Sequence, residues 1–146
     1  MKLFTIGFTK KSAREFFTIL KKNKVSKIVD IRRNNTSQLS GFTKARDFKF
    51  FLNEILGINY MHLLEFAPHQ KLLKQYRNKQ INWDEFEIEY IKKLEEYKSW
   101  DNFNIKKLES GCLLCSESKP DKCHRRILAE YLKKKYSSMS IEIIHL

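Results

Sequence analysis

Residues 3–31 read Leu-Phe-Thr-Ile-Gly-Phe-Thr-Lys-Lys-Ser-Ala-Arg-Glu-Phe-Phe-Thr-Ile-Leu-Lys-Lys-Asn-Lys-Val-Ser-Lys-Ile-Val-Asp-Ile. Leu3-Phe-Thr-Ile6 is a short β-rich run closed by Gly7. Ser12-Ala-Arg-Glu15 has the form of a capping box, in which Ser12 offers an oxygen to an orphan N–H and Glu15 reaches back. Behind it Ala13, Phe16, Phe17 and Leu20 recur at helical spacing. Val25-Ser-Lys-Ile-Val-Asp-Ile31 then reads as a second strand. Strand, helix and strand in this order form one βαβ unit, which implies a right-handed crossover and parallel strands.

The pattern repeats outward from this unit. Residues 32–42 are polar and turn-rich, a long strand-to-helix loop. A second helix follows through Phe48, Phe51, Leu52, Ile55 and Leu56, stopped by Gly57 at the usual C′ position. Ile58–Leu63 is a third strand, and residues 69–80 suggest a short helix. A stronger helix starts at Asn82, where Glu85 completes a second capping box, and Phe86, Tyr90, Leu94 and Tyr97 mark its inner face. Cys112–Cys115 is a compact strand, Ile127, Leu128, Tyr131 and Leu132 line a last helix, and Ile141–His145 closes the chain. The alternation predicts a single α/β domain over residues 1–146, three-layered, with a parallel or mostly parallel sheet of about five strands flanked by helices.

Composition agrees with one globular domain. The chain has 146 residues, 42% of them hydrophobic with 11 Phe, which fills a core without staples. Four Gly and two Pro leave no linker or low-complexity tract, and there is no internal repeat. Met1-Lys2 leads directly into the first strand with no signal-like segment. No apolar run approaches the roughly 20 residues that span a bilayer, so a cytoplasmic protein without a membrane partner is expected. Three cysteines cannot all pair, and a reducing compartment leaves thiol chemistry, metal ligation or burial. The net charge is +12, with a local +9 over residues 10–49, +4 over 117–136 and −4 over 82–101. Such asymmetry favours an anionic partner, unless it is only a solvated lysine-rich surface.

The stretch richest in chemistry is Gly111-Cys-Leu-Leu-Cys-Ser-Glu-Ser-Lys-Pro-Asp-Lys-Cys-His-Arg-Arg126. Cys112 and Cys115 have the spacing of a redox or zinc pair, but on a strand they point to opposite faces. Cys112 is therefore read as buried filler, and a zinc site of Cys112, Cys115, Cys123 and His124 as a minor alternative. Cys115 falls at the strand's carboxyl end, with Ser116 and Glu117 beyond it, where open α/β sheets bind ligands. Either Asp121 or Ser118 would cap the last helix, placing Cys123 and His124 in or near its first turn. There the helix dipole and Arg125 favour a thiolate, and the same groups would grip a phosphate or carboxylate. The bland alternative buries Cys123 and leaves His124 and the arginines solvated. The spacing is not that of a tyrosine-phosphatase loop, because the sixth residue after Cys115 is Asp121 rather than Arg.

A second constellation is Asp30-Ile-Arg32-Arg33 with Thr36, Ser37 and Ser40 downstream. Arg32 either pairs with Asp30 as structure or binds an anion while Asp30 orients it or acts as base. Arg33 and the hydroxyl of Ser37 would assist, and Lys44, Arg46 and Lys49 extend the basic surface. His62 and Glu65 lie near the third strand's end and are as readily structural. Phe8 and Phe42 would stack on a base or simply fill core.

Taken in order, Thr5-Ile-Gly7, Val29-Asp-Ile-Arg32 with Ser37, Gly57-Ile-Asn-Tyr60, Leu114-Cys-Ser-Glu117 and Cys123-His-Arg125 make the chain resemble the domain of unknown function 488 family over nearly its full length. The resemblance implies a compact α/β domain with these motifs at one pocket, and implies no particular reaction. The chain departs from the family pattern where Phe8 and Thr9 replace His and Ser. It departs again where Asn35 replaces Pro, and where Phe66-Ala-Pro68 replaces a Gly-rich turn. These departures leave turnover open.

Three functional readings follow. In the first, the protein is an enzyme, or a degenerate enzyme, acting on a phosphate-bearing substrate such as a nucleotide or nucleic acid. Arg32, Arg33, Arg125 and Ser37 would hold the anion, Cys123 or Cys115 would be the nucleophile, and His124, Glu117 and Asp30 would move protons. The second is a non-catalytic, basic nucleic-acid-binding module, and the third a thiol-redox or metal-binding protein. The sequence points to no cofactor and to no oligomeric state.

Overall fold

The computed structural model describes residues 1–146. Its elements in order are β1 (Lys2–Gly7), α1 (Ala13–Lys22), β2 (Lys27–Asp30), α2 (Ala45–Phe51), β3 (Asn59–His62), α3 (Gln70–Arg77), α4 (Trp83–Glu95), β4 (Gly111–Cys115), α5 (His124–Lys135) and β5 (Glu142–His145). Short 3₁₀ turns fill several connections, and α2 runs on into a π turn over Leu52–Leu56. Both capping boxes form: Ser12 and Glu15 exchange bonds of 3.1 and 3.0 Å, and Asn82 and Glu85 exchange two of 2.9 Å. Gly57 ends the second helical stretch with φ 64°, a left-handed conformation that costs glycine little.

The five strands are all parallel, in the order β3-β2-β4-β1-β5. Their side chains alternate with period two. Phe4, Ile6, Ile28, Cys112 and Leu114 pack against Phe16, Phe17, Leu20, Phe48 and Leu52 from α1 and the α2 segment. The interleaved Leu3, Val29, Ile31 and Leu113 pack on the other side, against Leu72 of α3, Phe86, Tyr90 and Leu94 of α4, and Ile127, Leu128 and Leu132 of α5. Each fully buried Phe or Leu contributes about 1.5–3 kcal/mol relative to exposure, and both faces are covered.

The crossovers obey one hand. Moving from β1 to β2 and on to β3, the chain steps toward the β3 edge and lays α1 and α2 on the first face. From β3 to β4 and on to β5 it steps back and lays α3, α4 and α5 on the second. The loops leaving the adjacent strands β2 and β4 therefore turn to opposite faces, which opens a crevice at their carboxyl ends.

One boundary differs from the sequence reading. The last helix is capped neither by Ser118 nor by Asp121. Cys123 N–H donates to Pro120 O at 3.1 Å, closing a turn, and Cys123 itself is the extended N-cap residue, with φ −142° and ψ 135°. The proline turn occupies residues that would otherwise have made the first helical turn, so His124 is the first helical residue. No helix is long and apolar enough to cross a membrane.

Candidate functional site

Cys115 ends β4, and the turn that follows returns α5 across the same strand tip. Cys115 Sγ lies 3.4 Å from His124 Nδ1, and His124 Nε2 lies 3.0 Å from the carbonyl oxygen of Ile31, just past β2. A carbonyl only accepts, so the ring proton sits on Nε2 and Nδ1 presents its lone pair to the sulfur. Tyr90 meets the imidazole edge-on at 5.8 Å, with its hydroxyl donating to Phe66 O at 2.5 Å. The ring is thus held on two sides. Burial holds the His124 pKa below the ordinary imidazole value, so it is a neutral base.

The surroundings of Cys115 favour its thiolate. Burial alone would raise its pKa. The Cys123 thiol, the backbone N–H groups of Glu117 and Ser116, and the charge of Arg125 together outweigh burial and bring it below the ordinary thiol value. Cys123 moves the other way: burial, its hydrogen bond to Cys115 and the negative charge there push its thiol up. Of the two neighbouring sulfurs, Cys115 is therefore the one that ionises more readily. Cys112 is fully buried on the opposite face of the sheet, and burial pushes its thiol up.

Arg125 supplies the compensating charge. It is wholly buried, yet no carboxylate pairs with it. Its Nη1 donates to Glu117 O and approaches Cys123 Sγ at 3.4 Å, its Nη2 donates to Ser118 O at 3.2 Å, and its Nε has no partner. An unpaired buried cation costs several kcal/mol, which favours ionisation of the neighbouring Cys115 thiol. Gly7, at the tip of β1, makes room for this arrangement. A Cβ there would be driven into Glu117 O and would come within 2.8 Å of Arg125 Nη1. Thr9 fastens the same turn, its N–H donating to Ser116 O at 3.1 Å and its hydroxyl donating to the same oxygen.

Asp30 and Arg32 form a separate buried network. Asp30 Oδ1 accepts from Arg32 N and Nε at 3.1 and 2.9 Å; Oδ2 accepts from Arg32 Nη2, Tyr60 OH and Asn35 Nδ2 at 2.7, 2.6 and 3.3 Å. Arg32 also donates to Thr43 Oγ1 at 2.9 Å and Thr43 O at 2.8 Å, and lies 5.4 Å from the Phe8 ring centre. Four of its five N–H groups are thereby engaged within the protein. Burial would raise the Asp30 carboxyl, but Arg32 and Tyr60 hold it below the ordinary value. Of the two readings of this pair, the structure carries the ion pair. Asn35 joins the network through its amide.

The remaining expected residues divide. Arg33 donates to Pro68 O and Ala67 O at 3.0 and 3.4 Å, while Ser37 caps a 3₁₀ turn by accepting from Leu39 N at 3.2 Å. Phe42 packs on Phe16 and Phe17 in the core. His62 Nε2 lies 2.8 Å from Arg32 O.

Cys115, Cys123 and His124 line a cavity of about 280 Å³ together with Arg32, Arg33 and Glu117, so the β2 and β4 tips share one cleft. Ser37, Asp30 and Arg125 do not line it. Its outer wall comes from residues to which the sequence gives no site signal: Tyr76, Arg77, Trp83 and Lys122. Trp83 and Tyr76 sit on amphipathic helices whose apolar side reads simply as core, and Arg77 is one lysine-rich-surface cation among many.

These features define a parallel-sheet α/β domain with a buried Cys–Cys–His cluster at the carboxyl ends of its strands. The chain belongs to the domain of unknown function DUF488 family, whose model matches residues 12–132. β1, with Thr5-Ile-Gly7, precedes the matched segment. No curated protein and no solved structure matches the chain. The sulfur and nitrogen atoms of Cys115, Cys123 and His124 all lie within 4.8 Å of one another, so this cluster is also the set that could hold a metal ion.

Proposed function

We propose that the protein is a cysteine-dependent enzyme that attacks an anionic, phosphate-bearing substrate with the sulfur of Cys115. The observation that carries this reading is the 3.4 Å approach of Cys115 Sγ to an imidazole nitrogen whose partner nitrogen is fastened to Ile31 O. Nucleophile, base and orienting group then stand in the order that activated thiols require. His124 Nδ1 takes the Cys115 proton as the new bond to sulfur forms, and returns it to the leaving group. The backbone N–H groups of Ser116 and Glu117 and the buried Arg125 hold the negative charge while it resides on sulfur. The substrate anion is received by Arg33, Arg77 and Lys122 at the cavity mouth.

Labelling with iodoacetamide at neutral pH, followed by peptide mass spectrometry, tests the reading. Cys115 is expected to react before Cys112 and Cys123, and Cys115→Ser to abolish the fast phase. An inert Cys115 contradicts it.

A metal centre is the second reading, favoured by the mutual proximity of Cys115, Cys123 and His124. The buried positive charge of Arg125 beside Cys123 disfavours a dication there, while it suits a single thiolate. Elemental analysis of protein purified without chelators separates the two: one zinc or iron per chain supports the metal centre, and substoichiometric metal supports the thiolate.

A further inference from the structure

The cavity above Cys115 is bounded by an aromatic cluster that thiol chemistry alone does not require. Tyr76, at the end of α3, and Trp83 and Phe86, in the first turn of α4, pack on one another. Ring centres lie 5.4 Å apart for Tyr76–Trp83, 5.4 Å for Tyr76–Phe86 and 5.0 Å for Trp83–Phe86, the last pair inclined by only 16°. Phe86 is buried, but Tyr76 and Trp83 are only partly so, and all three border the cavity. Arg33, Arg77 and Lys122 border it too, against a single acidic side chain, Glu117.

Such a site asks for a ligand with two unlike ends. Its flat, apolar part must be satisfied by an indole, and its charged part by three cations that no carboxylate neutralises. The cavity holds about 280 Å³, at the small end of ligand sites, which suits one ring-bearing molecule rather than a large cofactor. Glu117 and Asn34, both on the lining, offer an acceptor and an amide, the pair of functions that reads the polar edge of a nucleobase.

The geometry points to a nucleotide as the molecule this cavity receives, with its base against Trp83 and its phosphate among Arg33, Arg77 and Lys122. The inference rests on the reading of Cys115 as the reactive group, since it names the class of substrate brought to that sulfur. Aromatic stacking accepts any base, because every base has a π-face. Selectivity among bases then falls to Glu117 and Asn34.

Isothermal titration of the full chain with AMP, CMP, GMP and UMP, beside ribose 5-phosphate and inorganic phosphate, tests this. At least one mononucleotide is expected to bind about tenfold or more tighter than ribose 5-phosphate, the contribution of one base–aromatic stack. Trp83→Ala is expected to remove that advantage. Arg77→Glu alters an exposed side chain, so the fold is kept, and it is expected to weaken every phosphate-bearing ligand by about tenfold. Mononucleotides that bind no better than ribose 5-phosphate, or unchanged binding in Arg77→Glu, overturn the inference. A single-stranded oligothymidylate, run in parallel against thymidine monophosphate, sorts the source. Tighter binding of the strand assigns a nucleotide within nucleic acid, tighter binding of the monomer assigns a free one, and either order supports the nucleotide class. Binding is read without any thiol reaction, so the two readings fail separately. Nucleotide binding with an inert Cys115 removes the nucleophile and keeps the pocket; a reactive Cys115 without nucleotide binding does the reverse.

Discussion

Cys115 and His124 stand nine residues apart in the chain and 3.4 Å apart in space, sulfur to Nδ1. The strand tip delivers one and the first residue of α5 the other, while the carbonyl of Ile31 on the neighbouring strand fixes which imidazole nitrogen carries the proton. Three elements therefore set the chemistry of one sulfur.

Replacing His124 by Asn removes the acceptor for the Cys115 proton. Alkylation of Cys115 at neutral pH is expected to fall by at least about tenfold, below the usual worth of a positioned base. Peptide-resolved labelling rates check this, and circular dichroism confirms that the overall helix content persists. An unchanged rate would assign His124 a packing role only.

The Asp30–Arg32 pair predicts a stability effect separate from the thiol. Asp30→Asn leaves a buried guanidinium without its carboxylate, which costs about 3–5 kcal/mol, read as a shift of the denaturant midpoint. The pH dependence follows from the lowered Asp30 carboxyl. The pair's contribution is complete above the unfolded carboxyl value of 3.8 and is lost as pH falls through the lower folded value. The unfolding free energy measured from pH 5 downward should thus decline steeply in the wild type and more shallowly in Asp30→Asn.

Gly7→Ala places a methyl where the Glu117 carbonyl and Arg125 now lie. Overpacking of this kind costs about 1–3 kcal/mol, and here it would also displace the turn whose N–H groups face Cys115. Both the melting temperature and the Cys115 labelling rate are expected to drop. A drop in melting temperature with an unchanged labelling rate would show that the turn does not govern the thiol.

Much of this architecture was legible in the chain because its signals are local. The two capping boxes, the Gly57 stop and the strand-helix alternation each lie within a few residues, and the period-two rule separated Cys112 from Cys115. The fate of Arg32 was not legible. An ion pair and an anion site need the same residue types, and what decides between them, Thr43 and Tyr60, comes from 11 and 28 residues further on. Nor was the burial of Arg125 legible, since it depends on the missing side chain of Gly7 on a strand from the other end of the sequence. The helix start was misplaced for a related reason: Ser118 and Asp121 are good caps, but the Pro120 turn overrides both. Trp83 and Arg77 gave no warning, because a pocket wall on α3 and α4 has the same periodicity as a core face.

The most direct test is the pH profile of Cys115 alkylation in the wild type and in Arg125→Met. The wild-type midpoint is expected below the ordinary thiol value of about 8.5, with a rise in Arg125→Met that cuts the rate at pH 7 about tenfold for each unit. A wild-type midpoint at or above that value, or one that Arg125→Met leaves in place, would contradict a Cys115 thiolate favoured by Arg125.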